Sequence, residues 1–242
     1  MQDESGQAIR PPSQPPHRPE IIHINCRVGV AAYLVLGREP ILVDAGMPWD
    51  SNRILGAIRQ TGLDPWAVRH IILTHYHPDH VGAAAAIQRV TGARVASHAA
   101  DAPYIEGRLA SPASSPFVSR IVDRLLRAAP VRVDRELGEG DVVGTLRVYH
   151  VPGHTPGSIC LYHAPSGGLI VGDALRGGMP GAPGLAESPS RFASDSALAR
   201  RSVRRLAGLG LAISTIYPAH GSVSVGNAER LLANLANSLP KE

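Results

Sequence analysis

The chain has 242 residues, of which 44% are hydrophobic and 18% are charged, a composition typical of a folded globular protein with one sizeable core. Its formal net charge of +4 is small for this length and its lysines and arginines are scattered, which argues against a nucleic-acid partner. No apolar run reaches the roughly 18 residues of a membrane span, and the first residues lack the basic start and apolar stretch of a signal peptide, so we expect a cytoplasmic protein with no membrane partner.

Predicted strands and helices alternate after an N-terminal arm, residues 1–19, that is rich in Pro, Gln and Ser; residues 20–242 are predicted to form one domain. The predicted strands are Ile21–Cys26, Ala32–Leu36, Ile41–Val43, Ile71–Leu73, Arg94–Ser97, Val131–Leu137, Asp141–Val151, Ile159–Tyr162, Leu169–Val171 and Ile213–Tyr217. The predicted helices are Asn52–Gln60, Val81–Val90, Ser119–Ala128, Ala197–Leu206 and Ala228–Leu239, and Gly177–Pro189 is predicted to be a loop. Strands in two blocks, each flanked by helices, indicate an α/β fold with two sheets packed together and helices outside.

The two cysteines, Cys26 and Cys160, lie far apart and form no CxxC pair. They therefore fit neither a zinc ribbon nor the disulfide framework of a secreted protein. Both are predicted to be small buried hydrophobic residues on strands.

The segment from Thr74 to His80 places His75, His77, Asp79 and His80 directly after a predicted buried strand. Side chains two residues apart on extended backbone point to the same side, so His75 and His77 are predicted to bind one metal. Asp79 and His80 start the next helix, point elsewhere and are predicted to bind a second metal. The alternative is an ordinary set of surface or core histidines, but clustered His and Asp side chains are a strong metal signal.

Three later segments each end a strand or turn on a further candidate ligand. They carry His154 in VPGHTPG, Asp173 at the end of IVGD, and His220 in YPAHG. Each is weak alone, because Asp after Gly is often a turn former and His beside Gly is often exposed. Together they supply the ligands that the first cluster lacks.

The four segments HYHPDH, VPGHTPG, VGDA and YPAHG, in this order, resemble the metallo-β-lactamase superfamily of hydrolases. The resemblance runs from about Ile21 to the C-terminus. It implies an αββα sandwich, two mixed sheets with helices on the outer faces, with the metals at one edge of both sheets. It also implies the ligand sets: His75, His77 and His154 for one metal, Asp79, His80 and His220 for the other, and Asp173 bridging both.

The resemblance also draws attention to Asp44, which ends the strand of ILVDAG. A carboxylate at this position is expected to orient a ligand imidazole. The alternative is a plain turn residue before Gly46.

The chemistry implied is that of a binuclear metallo-hydrolase with two divalent metal ions, Zn²⁺ in the first place and Fe or Mn as alternatives. Two such ions hold a bridging hydroxide that attacks the substrate, and Asp79 is the expected catalytic residue that orients it. No protein nucleophile is needed, in agreement with the absence of a GxSxG sequence.

The sequence differs from the better-known branches of the superfamily, and these differences narrow the range of expected substrates. Metallo-β-lactamases place Cys or Ser where Asp173 stands, so β-lactam hydrolysis is expected to be promiscuous at most. Glyoxalase II adds a thiol-binding helical domain after the last ligand, whereas only a short segment follows His220 here. Many acyl-homoserine lactonases carry a Tyr soon after the bridging Asp, and here Ala174-Leu175-Arg176-Gly177 follows. A small branch similar to glyoxalase II and lactonases, without the C-terminal extension, is indicated, and the expected substrate is a small carboxylic ester, lactone or thioester.

Two other functions stay open from the sequence. A mononuclear iron oxygenase of the persulfide dioxygenase type shares the implied fold, and so does a non-catalytic metal-binding protein. Whether the chain forms a homodimer is also open.

Overall fold

The computed structural model describes residues 20–110, 128–179 and 184–240. The strands of its first half are β1 (Ile21–Asn25), β2 (Ala31–Val35), β3 (Ile41–Val43), β4 (His70–Leu73), β5 (Arg94–His98) and β6 (Arg135–Leu137). Those of its second half are β7 (Val142–Val143), β8 (Leu146–His150), β9 (Ile159–His163), β10 (Gly168–Gly172), β11 (Leu175–Gly177), β12 (Leu185–Glu187), β13 (Thr215–Pro218) and β14 (Ser224–Val225). The helices are α1 (Ser51–Gln60), α2 (Pro78–Val81), α3 (Ala84–Thr91), α4 (Ala102–Ile105), α5 (Ser196–Ala207) and α6 (Ala228–Ser238).

Twelve of these strands form two mixed sheets of six. The first sheet has the order β1-β2-β3-β4-β5-β6, in which β1, β2 and β3 pair antiparallel and β3 to β6 run parallel. The second has the order β14-β13-β10-β9-β8-β7, in which only β10 and β13 pair in parallel. The strands β11 and β12 form a separate two-stranded hairpin.

The two sheets pack face to face, because alternate residues of each strand point to opposite faces of a sheet. One core cluster joins the inner faces and contains residues of both sheets, including Tyr33, Val43, Ile72, Val148, Leu161 and Ile170. A second cluster joins the outer face of the first sheet to α1 and α3, with Leu42 and Ile71 against Ile58 and Ile87. A third joins the outer face of the second sheet to α5 and α6, with Leu169 and Ile216 against Val203 and Leu232. The layers therefore follow the order helix, sheet, sheet, helix, and the predicted αββα fold is confirmed.

One edge of this sandwich contains the carboxyl ends of β3, β4, β8, β10 and β13. Main-chain hydrogen bonds join the two halves there: Ile159 N donates to Thr74 O at 3.0 Å, and Ala31 N donates to Ala219 O at 2.8 Å. Every segment that carries a predicted metal ligand leaves a strand at this edge.

Four predicted elements differ from the observed ones. The predicted helix Val81–Val90 is divided between α2 and α3, because Ala83 has non-helical backbone angles, with φ −95° and ψ 3°. The predicted strand Asp141–Val151 is the hairpin β7–β8, turning at Gly144 with a φ of +56°. The strand predicted at Val131–Leu137 begins only at Arg135. The predicted loop Gly177–Pro189 contains part of the β11–β12 hairpin.

The predicted arm, residues 1–19, lies outside the described residues, and so does all but the end of the predicted helix Ser119–Ala128. The assignment of residues 20–242 to one domain stays a prediction. Within the described part of the chain, no helix combines the length and the apolar character needed to cross a membrane.

Candidate metal centre

The segment after β4 carries four candidate ligands, whose side chains point in two different directions. His77 has extended backbone, with φ −63° and ψ 147°, and Pro78 takes the first position of α2. Proline is favoured there because its missing N–H needs no helical partner and its φ suits the helix. Pro78 therefore begins a helix here, and Asp79 and His80 turn with that helix away from His75 and His77.

The first ligand group consists of His75, His77 and His154, which offer metal-ligating atoms within 4.8 Å of one another. His154 Nε2 lies 3.0 Å from His77 Nδ1. The three rings meet edge to face, with the centroid of His75 4.7 Å from that of His77 and 4.8 Å from that of His154. Three ring nitrogens thus converge from two separate segments of the chain.

The second group consists of Asp79, His80 and His220, again with candidate atoms within 4.8 Å of one another. Asp79 Oδ2 lies 3.2 Å from His220 Nε2 and 3.8 Å from His80 Nε2. The structure therefore places His220 beside Asp79 and His80, the two residues that were predicted to point away from His75 and His77.

Asp173 lies between the two groups. Its Oδ2 is 3.4 Å from His154 Nε2, and its Oδ1 is 3.4 Å from His80 Nε2 and 3.6 Å from His220 Nε2. One carboxylate oxygen faces each group, which is the arrangement that a bridging ligand requires.

The donor atoms fit a metal centre on two counts. Ligands that share a tetrahedral zinc at a bond length of about 2.1 Å are roughly 3.4 Å apart, close to the distances around Asp173. In addition, His75 Nε2, His80 Nε2, His154 Nδ1 and Asp173 Oδ1 are buried without a hydrogen-bond partner among the described residues. Buried polar atoms are normally partnered, and bound metal ions would provide partners for those that face the ligand groups.

The electrostatics of the cluster also suit cations. Burial and the neighbouring histidines lower the pKa of His75, and burial together with His154 lowers the pKa of His77 to about 3, so both rings keep the free lone pairs that a metal needs. Burial alone would raise the pKa of Asp173, but the charges of His80 and His220 bring it down to about 2. The pKa of Asp79 is also lowered, because His80 and His220 outweigh the effect of its burial. Two ionised carboxylates therefore sit among the imidazoles.

Asp44 orients His80. The carboxylate is buried, and its Oδ2 lies 2.9 Å from His80 Nδ1, on the side of the ring away from the ligand group. Asp44 also accepts a hydrogen bond from Thr74 N at 2.8 Å. Its φ of +60° is uncommon for a residue with a side chain, although Asp tolerates it better than most. The contact expected between Asp44 and a ligand imidazole is thus present, and a plain turn residue does not describe it.

Sequence reasoning did not identify Thr74 or Asp101 as part of this centre. Thr74 Oγ1 lies 3.2 Å from His75 Nδ1 and 2.8 Å from Asp44 Oδ2. Asp101 contacts both segments that carry the first ligand group. A signal for Thr74 was its place directly before His75, whereas Asp101 stands in no recognisable motif.

The arrangement of these residues agrees with a comparison of the whole sequence with known families. The profile of the Metallo-beta-lactamase superfamily matches residues 27–220, which is most of the chain and contains both ligand groups. The chain belongs to this superfamily. The family identification made from the four sequence motifs is therefore confirmed, and with it the assignment to a group of metallo-hydrolases that bind divalent metals.

Individual relatives of this superfamily member give a finer picture. Probable metallo-hydrolase YflN of Bacillus subtilis (strain 168) is 29% identical over 229 residues, 86% of each chain. A hydroxyacylglutathione hydrolase of Cereibacter sphaeroides (strain ATCC 17025 / ATH 2.4.3) is 33% identical over 165 residues, 64% of this chain and 52% of that protein. The chain thus spans about half the length of the hydroxyacylglutathione hydrolases that it matches.

Among solved structures, that of TTHA1623 in a di-iron-bound form superposes with a TM-score of 0.65 at 29% identity, covering 85% of this chain and 93% of the other. This chain therefore shares the fold of TTHA1623 over nearly the whole length of that protein. The ligand roles of the seven residues in this chain stay predictions, which the geometry supports.

Proposed function

We propose that this protein is a binuclear metal-dependent hydrolase that cleaves a small carboxylic ester, lactone or thioester. The observation that carries the proposal is Asp173, whose two oxygens face two separate groups of three ligands. The relatives support the reaction type. YflN is named a probable metallo-hydrolase, and the name hydroxyacylglutathione hydrolase describes the hydrolysis of an acylated thiol.

The roles follow from the positions of the side chains. His75, His77 and His154 hold the first metal, and Asp79, His80 and His220 hold the second. When bound, the two ions activate water and polarise the oxygen of the scissile group.

The substrate approaches from the side of Asp79 and His220. The side chains of Asp79 and His220 are 32% and 17% exposed, whereas that of His80 is fully buried. Of the ligand carboxylates, Asp79 is the more accessible, since that of Asp173 is 13% exposed. Asp79 is therefore the group that orients the attacking water toward the substrate.

No thiol competes with water as the nucleophile. Cys26 and Cys160 are both buried. Burial, with the nearby Asp50, raises the pKa of Cys26 to about 12, and burial raises the pKa of Cys160 as well. Neither thiol forms the thiolate that nucleophilic attack requires.

The test is turnover of a panel of lactones, thioesters, aryl esters and phosphodiesters by metal-loaded protein, with and without a chelator. We expect chelator-sensitive hydrolysis of one of the first three classes, and we expect His77→Ala and Asp173→Ala to lower kcat/KM by roughly 10²-fold or more. His70→Ala is the matched control, because His70 lies on β4, the strand that leads into the segment with His77, but pairs with Glu39 at 3.6 Å and belongs to no ligand group.

Metal analysis of the purified protein separates the proposal from the oxygenase alternative. We propose two zinc ions per chain, and the di-iron form of TTHA1623 makes iron the first alternative to measure. One iron per chain together with oxygen uptake on a persulfide would overturn the hydrolase proposal. Metal binding without turnover of any substrate class would favour the non-catalytic alternative.

A further inference from the structure

Asp101 is a fully buried carboxylate that belongs to neither ligand group. Its Oδ2 accepts hydrogen bonds from Tyr76 N at 3.1 Å and from Thr155 Oγ1 at 2.6 Å. Its Oδ1 accepts one from Gly157 N at 2.6 Å. All three donors are neutral N–H or O–H groups.

These bonds connect the two segments that carry the first ligand group. Tyr76 stands between His75 and His77, and Thr155 directly follows His154. One carboxylate therefore spans the gap between the segment after β4 and the turn after β8. The two segments belong to different sheets, so their spacing depends on contacts of this kind.

Other features of the structure are arranged around Asp101. It occupies the N-cap position of α4, where an Asp side chain usually caps the helix, yet its side chain makes no capping bond. At Gly157, a Cβ would lie 2.6 Å from Asp101 Cγ and Oδ1, so only glycine allows this approach. The ring of Tyr104 on α4 stacks on that of Tyr76 at a centroid distance of 4.5 Å.

Ionised Asp101 is expensive to bury. Desolvation raises the pKa of this carboxyl to about 6, and the hydrogen bonds from Thr155, Gly157 and Tyr76 offset part of that effect. An unpaired buried charge is a poor way to stabilise a fold. A functional benefit explains its presence better than a contribution to stability.

We propose that Asp101 is a positioning residue for the first metal, fixing His154 at the correct distance from His75 and His77. The inference rests on the ligand assignment of the proposed function and adds a residue outside both ligand groups. It predicts that changing Asp101 weakens metal binding without a matching loss of fold.

Asp101→Asn is the direct test, because it keeps the size of the side chain. An Asn keeps one acceptor oxygen but turns an NH₂ group toward at least one of the three donors, so the contacts cannot all be kept. Zinc affinities are measured by competition with a chromophoric chelator, and the first metal is followed through the visible spectrum of Co²⁺-loaded protein. We expect the affinity for one of the two ions to fall about 10- to 100-fold, with an altered Co²⁺ spectrum and an unchanged or higher melting temperature of the metal-free protein.

Asp134→Asn is the matched control. Asp134 also accepts a main-chain hydrogen bond, from Val95 N at 2.9 Å on β5, but it contacts no ligand-bearing segment in the part of the chain that the structure describes. We expect its zinc affinities to stay within about twofold of wild type, since distant sites do not couple.

Thr155→Val and Thr155→Ser provide a second test that does not depend on the folding of the Asp101 variant. Valine removes the hydroxyl that bonds Asp101, and serine keeps it. We expect Thr155→Val to weaken the same metal and Thr155→Ser to restore most of the affinity. The inference is overturned if folded Asp101→Asn binds zinc as tightly as the wild type. If Asp101→Asn does not fold, wild-type zinc affinity in Thr155→Val overturns it instead. Equal losses of zinc affinity in Asp101→Asn and Asp134→Asn also overturn it. Absence of metal binding by the wild-type protein would instead overturn the proposed function.

Discussion

Replacing Gly172 by alanine tests how β10 delivers Asp173 to the metal centre. Gly172 has a φ of +49°, and a Cβ there would lie 2.7 Å from Thr74 Oγ1 and 2.9 Å from Thr74 Cβ. Thr74 cannot simply move away, because its hydroxyl is bonded to the buried carboxylate of Asp44. The substitution therefore strains the backbone before Asp173 and disturbs the contact that holds Asp44.

The expected loss of stability has two parts. The left-handed backbone conformation costs a residue with a side chain about 1–2 kcal/mol, and forcing an extra carbon into a packed site costs about 1–3 kcal/mol. Gly92 separates the two parts, since it has a φ of +68° but a Cβ added there would meet no atom within 4 Å. Gly92→Ala should lose only the first part.

The assay is urea denaturation of the two variants and the wild type in the presence of a chelator. We expect Gly172→Ala to lower the free energy of unfolding by roughly 2–5 kcal/mol, and to lower it more than Gly92→Ala does by about 1–3 kcal/mol. Gly172→Ala should also weaken zinc binding, whereas Gly92→Ala should not. Equal losses of stability in the two variants would show that the close approach of β10 to Thr74 is not what requires glycine at this position.

The other predictions concern the metals, a titration and the thiols. Zinc at 100 times its dissociation constant should raise the free energy of unfolding of the metal-free protein by about 2.7 kcal/mol per ion. His77→Ala, measured by calorimetry, should lose most of the contribution of the first ion and keep that of the second. Because the pKa of Asp101 is raised to about 6, the folded state holds that proton more tightly than the unfolded state, so its contribution to stability falls as the pH rises from about 4 to 7. Relative to Asp101→Asn, wild-type protein should therefore become less stable over this range by up to about 3 kcal/mol. The free energies of unfolding of the two proteins are measured by urea titration at each pH, and a constant difference between them across the range would contradict this prediction. Cys26 and Cys160 should react with a thiol reagent only after unfolding, because both are buried; reaction of the native protein would refute their placement.

The sequence allowed the ligands to be predicted because each lies at or just after the end of a strand. His75 and His77 follow β4 directly, and Asp173 follows β10 directly. Parallel strands bring their carboxyl ends to one edge of a sheet, so residues far apart along the chain meet there. The division of these residues into two ligand groups came from the resemblance to the superfamily, and it stays a prediction that the geometry supports.

Other features depended on contacts that no local pattern records. The helix predicted over Val81–Val90 is interrupted at Ala83, whose φ of −95° and ψ of 3° are not helical, and the neighbouring Gly82 packs against Met47 and Pro48, where a Cβ would lie 2.5 Å from Met47 C. The β11–β12 hairpin pairs only three residues from each strand, too few to stand out from the surrounding glycines and prolines. Asp101 precedes Ala102 and Pro103 and has the sequence context of an N-cap, yet its carboxylate makes no bond to its own helix.

Two of the buried carboxylates outside the ligand set, Asp44 and Asp101, contact a ligand or the segments that carry ligands, and they do so for different groups. Asp44 bonds the ring of His80 in the second group, and Asp101 joins the segments that carry the first. Neither is needed to fill a core, which apolar residues would do at lower cost. The ligands come from segments that follow strands of two different sheets, and a loop cannot fix the spacing of those segments by itself. A rigid carboxylate that accepts hydrogen bonds from several backbone N–H groups can fix that spacing. The second group has a ligand-orienting carboxylate at the end of the strand next to β4, whereas the first has one that reaches across to the other sheet. Asp44 reaches His80 within one half of the sandwich, whereas Asp101 joins segments of both halves, because His75 follows a strand of the first sheet and His154 a strand of the second.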